Sequence, residues 1–317
     1  MKKLFLMRNP ILFQGERELK KKRSYFEGWY FKNTNGTYSI SFIPGINISK
    51  NDKKAFIQVI TNDSSYFVNY DIDKFEYGYE PFYVKIGDNF FSKDKIYIDI
   101  KDESNNLFIN GNLKYSDNKN INTNFFSPNI MGIFSYIPLM ECNHAINSMK
   151  NKVNGSININ DVVIKFDNGI GYIEKDWGYS FPKSYIWCQG NNFINTNASF
   201  MLSIANIPFK ILEFKGIICD LIIDDKEYKF TTYNNTKLAH YDITDNKLNI
   251  TLKKGNYFLN ISSNYDDNFR LLAPIKGKME KGIFESISSV ITITLKRNDE
   301  IIFTDTSKNC GLEIVCE

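Results

Sequence analysis

Apolar residues recur at every second position in one run after another along this chain. That period of two admits strands and leaves little room for long helices. Ile96, Ile98 and Ile100 alternate with Tyr97, Asp99 and Lys101; Leu248, Ile250 and Leu252 alternate with Asn249, Thr251 and Lys253; Ile291, Ile293 and Leu295 alternate with Thr292, Thr294 and Lys296. Between such runs, at hairpin spacing, stand Asn35-Gly36, Asp224-Asp225, Lys254-Gly255-Asn256 and Asn298-Asp299. Asn, Asp and Gly tolerate the left-handed backbone that tight reversals require, so antiparallel meanders are expected. Helical spacing is scarce. Its best candidates are residues 140–149 and 278–287, both short, and an α/β fold is disfavoured.

Many short strands at regular spacing argue for sandwiches or up-and-down barrels, and barrels remove the edges that so many aromatic strands would expose. The 26 Phe, 19 Tyr and 3 Trp suit half-buried, pleated strands. A chain of 317 residues exceeds the usual single-domain length. The expectation is an all-β protein of two domains, residues 1–168 and 169–317, divided where the hairpin at 153–166 ends and Gly169-Ile170-Gly171 restarts the chain.

Charge and cysteine usage exclude several classes. Lys plus Arg number 39 against 36 Asp plus Glu, a net charge of +3, without the concentrated basic surface that phosphate neutralisation requires, so nucleic acid is not an expected partner. The Lys20-Lys21-Lys22-Arg23 run reads as a solvated stretch ahead of the first strand. Cys142, Cys188, Cys219, Cys310 and Cys316 are scattered, odd in number and lack any C-x-x-C spacing, which indicates neither a disulfide framework nor a zinc site. The apolar stretch near the N-terminus is cut by Arg8, Asn9 and Pro10, and no 18 apolar residues run together. A cytoplasmic protein without an integral membrane segment is expected, and transient contact with a membrane is compatible with that.

The chain has no G-x-S-x-G, Walker A, dinucleotide fingerprint or H-E-x-x-H, and its only histidines are His144 and His240. Chemistry built on carboxylic acids, phenols and amides is the better reading, with no metal and no cofactor. Two segments stand out. In Tyr25-Phe26-Glu27-Gly28-Trp29-Tyr30-Phe31, a strand puts Tyr25, Glu27, Trp29 and Phe31 on one face, a lone carboxyl among aromatic rings. Facing inward, Glu27 would either be desolvated and protonated, as a general acid must be, or paired with a Lys or Arg across the barrel. In the second segment Glu174 and Asp176 share a face, where two carboxyl groups push each other's proton affinities apart. The alternative there is an ion pair with Lys175 or an ordinary turn. Farther on, Tyr185, Trp187, Gln189 and Asn191 align opposite Ile186, Cys188 and Gly190, a wall of rings ending in amides that suits the lining of an apolar pocket.

Glu27-Gly28-Trp29-Tyr30, Glu174-Lys175-Asp176-Trp177-Gly178 and Ser180-Phe181-Pro182, with Trp187, Gln189 and Asn191, resemble the signature segments of the tocopherol cyclase family. The stretch from Met131-Gly132 through Pro138-Leu139-Met140-Glu141-Cys142-Asn143-His144 resembles bacterial members. The tail, with Ala273-Pro274, Glu285-Ser286 and Gly311-Leu312-Glu313, resembles the family's end. Two positions depart from the pattern: plant cyclases carry Asn in place of Asp176, and many bacterial members carry His in place of Asn192.

The resemblance implies two lipocalin-like β-barrel domains packed together, as in related carotenoid hydratases, and closure of a chromanol ring on a prenylated quinol. In that reading a buried acid protonates the prenyl double bond, the phenol oxygen captures the tertiary cation, and the faces of Trp29, Trp177, Tyr185 and Trp187 stabilise it. The acid candidates are Glu27, then Glu174 and Asp176, with Glu141 and His144 as outsiders. Tyr25, Trp29, Trp177, Tyr185, Trp187, Gln189 and Asn191 would bind the small apolar ligand, a prenylated or polyene molecule. The alternatives are a hydratase, in which water captures the cation, and a lipocalin-like carrier that leaves its ligand unchanged.

Overall fold

The computed structural model describes residues 2–21, 23–137, 140–209, 212–244, 246–264 and 269–316. Lys22 of the basic run and Pro138-Leu139 of the family-like stretch lie outside the described residues. The fold is all-β. Two compact units divide it: residues 1–181 with 271–282, and residues 182–270 with 283–317. The division expected between residues 168 and 169 falls inside one continuous strand, Val162–Gly178. The glycines at 169 and 171 do not restart the chain, because both are paired within that strand, to Val153 and Asn151.

In the first unit eleven antiparallel strands form one nearly closed ring. Going round it, the first strand, Tyr25–Thr34, pairs with the last, Val162–Gly178, while the two free edges are consecutive in sequence, Ser65–Asp71 and Phe75–Tyr79. A single 3-10 turn, Ile72–Lys74, joins those edges. The alternation read from sequence is the inward face: Ile96, Ile98 and Ile100 are buried among Trp29, Phe31, Phe42, Val84 and Ile109. At roughly 25 cal/mol per Å² of apolar surface, such a filled interior is the main stabilising term.

The second unit repeats the plan. Its first strand, Tyr185–Gly190, pairs with its last, Glu300–Val315, and the open edges, Lys226–Thr231 and Lys237–Thr244, are again consecutive and joined by a 3-10 turn. Leu248, Ile250, Leu252, Ile291, Ile293 and Leu295 fill its core. The expected turns are present, with Gly36, Asp224, Gly255 and Asn298 all at positive φ.

Two expectations differ. Residues 142–149 and 278–287 are strand, within Cys142–Ile159 and Lys278–Arg297. Each carries bulges, between Ile146 and Ser148, Ser148 and Asn151, and Ser286 and Ser289. A bulge inserts an extra residue and breaks the period of two into spacings that imitate a helix. Residues 271–282 return to the first unit, where Gln58 brackets Leu272, donating to its carbonyl at 3.1 Å and accepting from its N–H at 2.9 Å. At their turn Gly277 has φ +76° and lies so close to the Ile48 carbonyl that an added Cβ would overlap it. Among the described residues no helix is long and apolar enough to cross a membrane.

Candidate active site

Pairing between Tyr25–Thr34 and Val162–Gly178 sets Glu27 opposite Trp177 and Trp29 opposite Lys175. Alternation sends Glu27, Trp29 and Lys175 into the ring. There Glu27 and Lys175, both without exposure, form an ion pair. Of the two sequence readings of Glu27, this is the cross-barrel pair. The carboxylate also accepts the Gln14 and Gly15 N–H groups at 2.8 and 2.9 Å and the Tyr25 hydroxyl at 2.5 Å. The Lys175 ammonium donates to the carbonyls of Pro10 and Leu12 at 2.8 and 2.6 Å. The Trp29 indole donates to Ile11 O at 2.7 Å.

These bonds fasten the Ile11-Leu12-Phe13 segment, itself buried, onto the ring's interior. The faces of Trp29 and Trp177 already hold a cation, since the Lys175 ammonium lies 4.9 and 4.8 Å from their centroids. Burial pushes the Lys175 ammonium down to about 8, against the opposing pull of Glu27. The inward face carrying Tyr25, Glu27 and Trp29 is therefore buried, with its polar groups bonded inside the ring.

The chemistry is concentrated on the opposite face of the same strands. Register places His144 opposite Asp176, with Glu174 two residues along and opposite Tyr30. His144 Nδ1 lies 2.9 Å from Asp176 Oδ1, and Nε2 lies 3.3 Å from Glu174 Oε2. The Tyr172 hydroxyl donates to the same Glu174 oxygen at 2.6 Å. Burial, the Glu174 charge and that hydrogen bond hold the Tyr172 phenol well above its usual range, so it stays protonated. Tyr30 packs edge-on against Tyr172 and accepts from Ser41 Oγ at 3.1 Å.

The row Tyr172, Glu174, His144, Asp176 thus runs from a buried phenol outward, with side-chain exposure rising from 5% at Glu174 to 23% at Asp176. The Cys142 thiol lies 3.8 Å from Asp176 Oδ1 and is held above its usual range by burial and that carboxylate. One ligand atom from each of His144, Glu174 and Asp176 lies within 4.8 Å of the others, a set that could also hold a cation. Two carboxyl groups flanking one imidazole within hydrogen-bonding reach form a constellation that suits general acid and base work.

In the sequence Glu174 pairs with Asp176, His144 stands as an outsider and Tyr172 carries no assigned role. Alternation within Val162–Gly178 aligns Tyr172 with both acids and was available as a signal. The approach of His144 depends on cross-strand register. Glu141 lies outside the cluster, its backbone carbonyl accepting the Tyr179 N–H at 3.0 Å.

In the second unit Tyr185, Trp187 and Gln189 share a buried face, opposite Ile186 and Cys188, which belong to the core. The Tyr185 hydroxyl donates to Glu313 Oε2 at 2.7 Å, and Glu313 faces the buried Glu285 across the neighbouring strand. The Trp187 ring covers Gly311, where an added Cβ would meet it at 2.6 Å. Asn191, just beyond the strand, is buried as well.

A family model described as tocopherol cyclase-like matches residues 118–315, well over half of the chain. The chain belongs to the tocopherol cyclase-like family. No curated protein matches it. Among solved structures, CghA superposes with a TM-score of 0.56 at 7% identity, covering 93% of this chain and 89% of CghA. CghA with Sch210972 gives 0.55 at 8% identity over the same shares. Kievitone hydratase from Nectria haematococca gives 0.51 at 12% identity, covering 96% of this chain and 93% of the hydratase. At these identities the likeness is one of fold, and it agrees with the lipocalin-like barrels implied by the sequence.

Proposed function

We propose that the chain is a cyclase- or hydratase-type enzyme that protonates an alkene in a small apolar substrate, with the Tyr172–Glu174–His144–Asp176 row as its acid–base centre. One observation carries this reading: a buried carboxyl group whose single oxygen is shared by a phenol at 2.6 Å and an imidazole at 3.3 Å. Glu174 is the group we assign to deliver the proton. His144 resupplies it, and Asp176 orients the imidazole through Nδ1 and connects the row toward solvent. Tyr172 fixes the carboxyl group and adds an aromatic face beside it. Family membership favours ring closure on a prenylated quinol or a related polyene. The proton added to the double bond leaves a tertiary cation, the phenol oxygen bonds to that carbon, and the phenol's proton returns to the row, so the substrate isomerises without a cofactor.

Water in place of the phenol gives a hydratase, a reading favoured by the resemblance in fold to kievitone hydratase. The assignment moves the acid from Glu27 to Glu174, because Glu27 is already occupied by a lysine, two backbone donors and a tyrosine. In the second unit, the face carrying Tyr185, Trp187 and Gln189, with Asn191 beside it, is proposed as a ligand-binding surface in its own right. The test is Glu174→Gln, assayed with a prenylated hydroquinone. Loss of turnover by about 100-fold or more with ligand affinity kept supports the acid role. Ligand returned unchanged by the unmutated protein would replace it with the carrier reading.

A further inference from the structure

We propose that the first unit docks on an anionic lipid bilayer through a surface built from the Lys2–Arg8 helix and residues 124–137. No member of the acid–base row belongs to this surface, and its test needs no turnover. Phe126 is 72% exposed and Phe125 59%, and Leu4, Phe5 and Ile133 are exposed as well. Large apolar side chains held in water in this number mark an interaction face. Arg8 joins the two segments, its guanidinium standing 5.2 Å from the Phe125 ring centroid.

The rings project from a fixed turn rather than a slack one. Asn124 Oδ1 accepts the N–H groups of Phe126 and Ser127 at 2.9 Å each. The Tyr136 hydroxyl donates to the Phe125 carbonyl. Asn129 Oδ1 accepts the Met131 N–H at 2.9 Å and the Ser135 hydroxyl at 2.7 Å, with Ile130 buried beneath. A backbone tied down at both ends could have turned Phe125 and Phe126 inward and instead presents them outward.

Charge selects the occupant. The helix KKLFLMR holds three basic residues and no acid, and residues 118–137 contain Lys119 and neither Asp nor Glu. Aromatic rings in segments whose only charges are positive fit the headgroup layer of a negatively charged membrane, where rings enter the interface and cations meet lipid phosphate. The surface is also tied to the active site, since the His144 N–H donates to Met131 Sδ at 3.1 Å. A membrane-dissolved substrate would thus be collected beside the acid that acts on it.

The experiment is co-sedimentation of the full chain with vesicles of phosphatidylcholine alone or mixed with phosphatidylglycerol. The protein is expected to bind the mixed vesicles roughly tenfold more tightly than the neutral ones and to release with added salt. Phe125→Ser with Phe126→Ser, checked for folding by circular dichroism, is expected to weaken binding by at least about tenfold. Glu174→Gln is expected to bind vesicles normally, which separates this result from the fate of the acid assignment. No binding to either vesicle, or equal binding by the double variant, overturns the proposal. A dimer in sedimentation velocity that the double variant dissolves would assign the face to a second copy of the chain instead.

Discussion

Replacing Lys175 with Met removes the ammonium from three acceptors at once: the Glu27 carboxylate and the carbonyls of Pro10 and Leu12. The remaining donors to Glu27 are two backbone N–H groups and the Tyr25 hydroxyl, so a charge with no exposure loses its counterion. Breaking a buried pair from one side costs about 3–5 kcal/mol, which for a unit of this size lowers Tm by about 6–20 °C. Glu27→Gln behaves differently, because Lys175 can shed its proton. Its ammonium already titrates near 8, below its ordinary 10.5, and losing the pull of Glu27 lowers it further. The unfolded chain then binds more protons than the folded one between that lowered value and 10.5, so the stability of Glu27→Gln rises with pH across this window. The assay is urea unfolding of the three proteins at a series of pH values, alongside turnover. The reasoning is refuted if Glu27→Gln keeps wild-type stability at neutral pH while losing turnover and retaining ligand, which would make Glu27 the acid.

Tyr172→Phe removes a hydrogen bond to the proposed acid but leaves the ring, and it is expected to lower kcat roughly tenfold while KM changes little; steady-state kinetics checks the split. Incubation with a chelator followed by gel filtration is expected to leave turnover unchanged, since the proposed row needs no ion; loss restored by a divalent cation would instead make His144, Glu174 and Asp176 ligands. Trp187→Ala uncovers Gly311 and is expected to raise the dissociation constant for an apolar ligand about tenfold or more by fluorescence or calorimetry; unchanged affinity removes that face from the binding surface.

The strand alternation of Ile96 to Ile100 was legible because one face of an antiparallel strand meets a core and the other meets water. The same logic failed at 142–149, where bulges leave Ala145, Ile146, Ser148 and Met149 all buried, with the spacing of a helix. The domain division was misplaced because glycine usually punctuates a chain, whereas Gly169 and Gly171 stay paired within one long strand. For the site, alternation alone put Glu174 and Asp176 on one face. Which face lined the interior of the ring, and which partner each acid found, depended on register: Lys175 reaches Glu27 on the inside, and His144 lies between the two acids on the opposite face. Register is a property of three strands together, and the sequence of any one of them does not contain it.

The central claim is that Glu174 protonates carbon. Turnover of a prenylated hydroquinone in deuterated water tests it most directly, with the product analysed by mass spectrometry and NMR. The account predicts a ring-closed or hydrated product carrying one carbon-bound deuterium at the former double bond, formed by the unmutated protein and Glu27→Gln but not by Glu174→Gln. A product free of carbon-bound deuterium, or one formed equally well by Glu174→Gln, would contradict it.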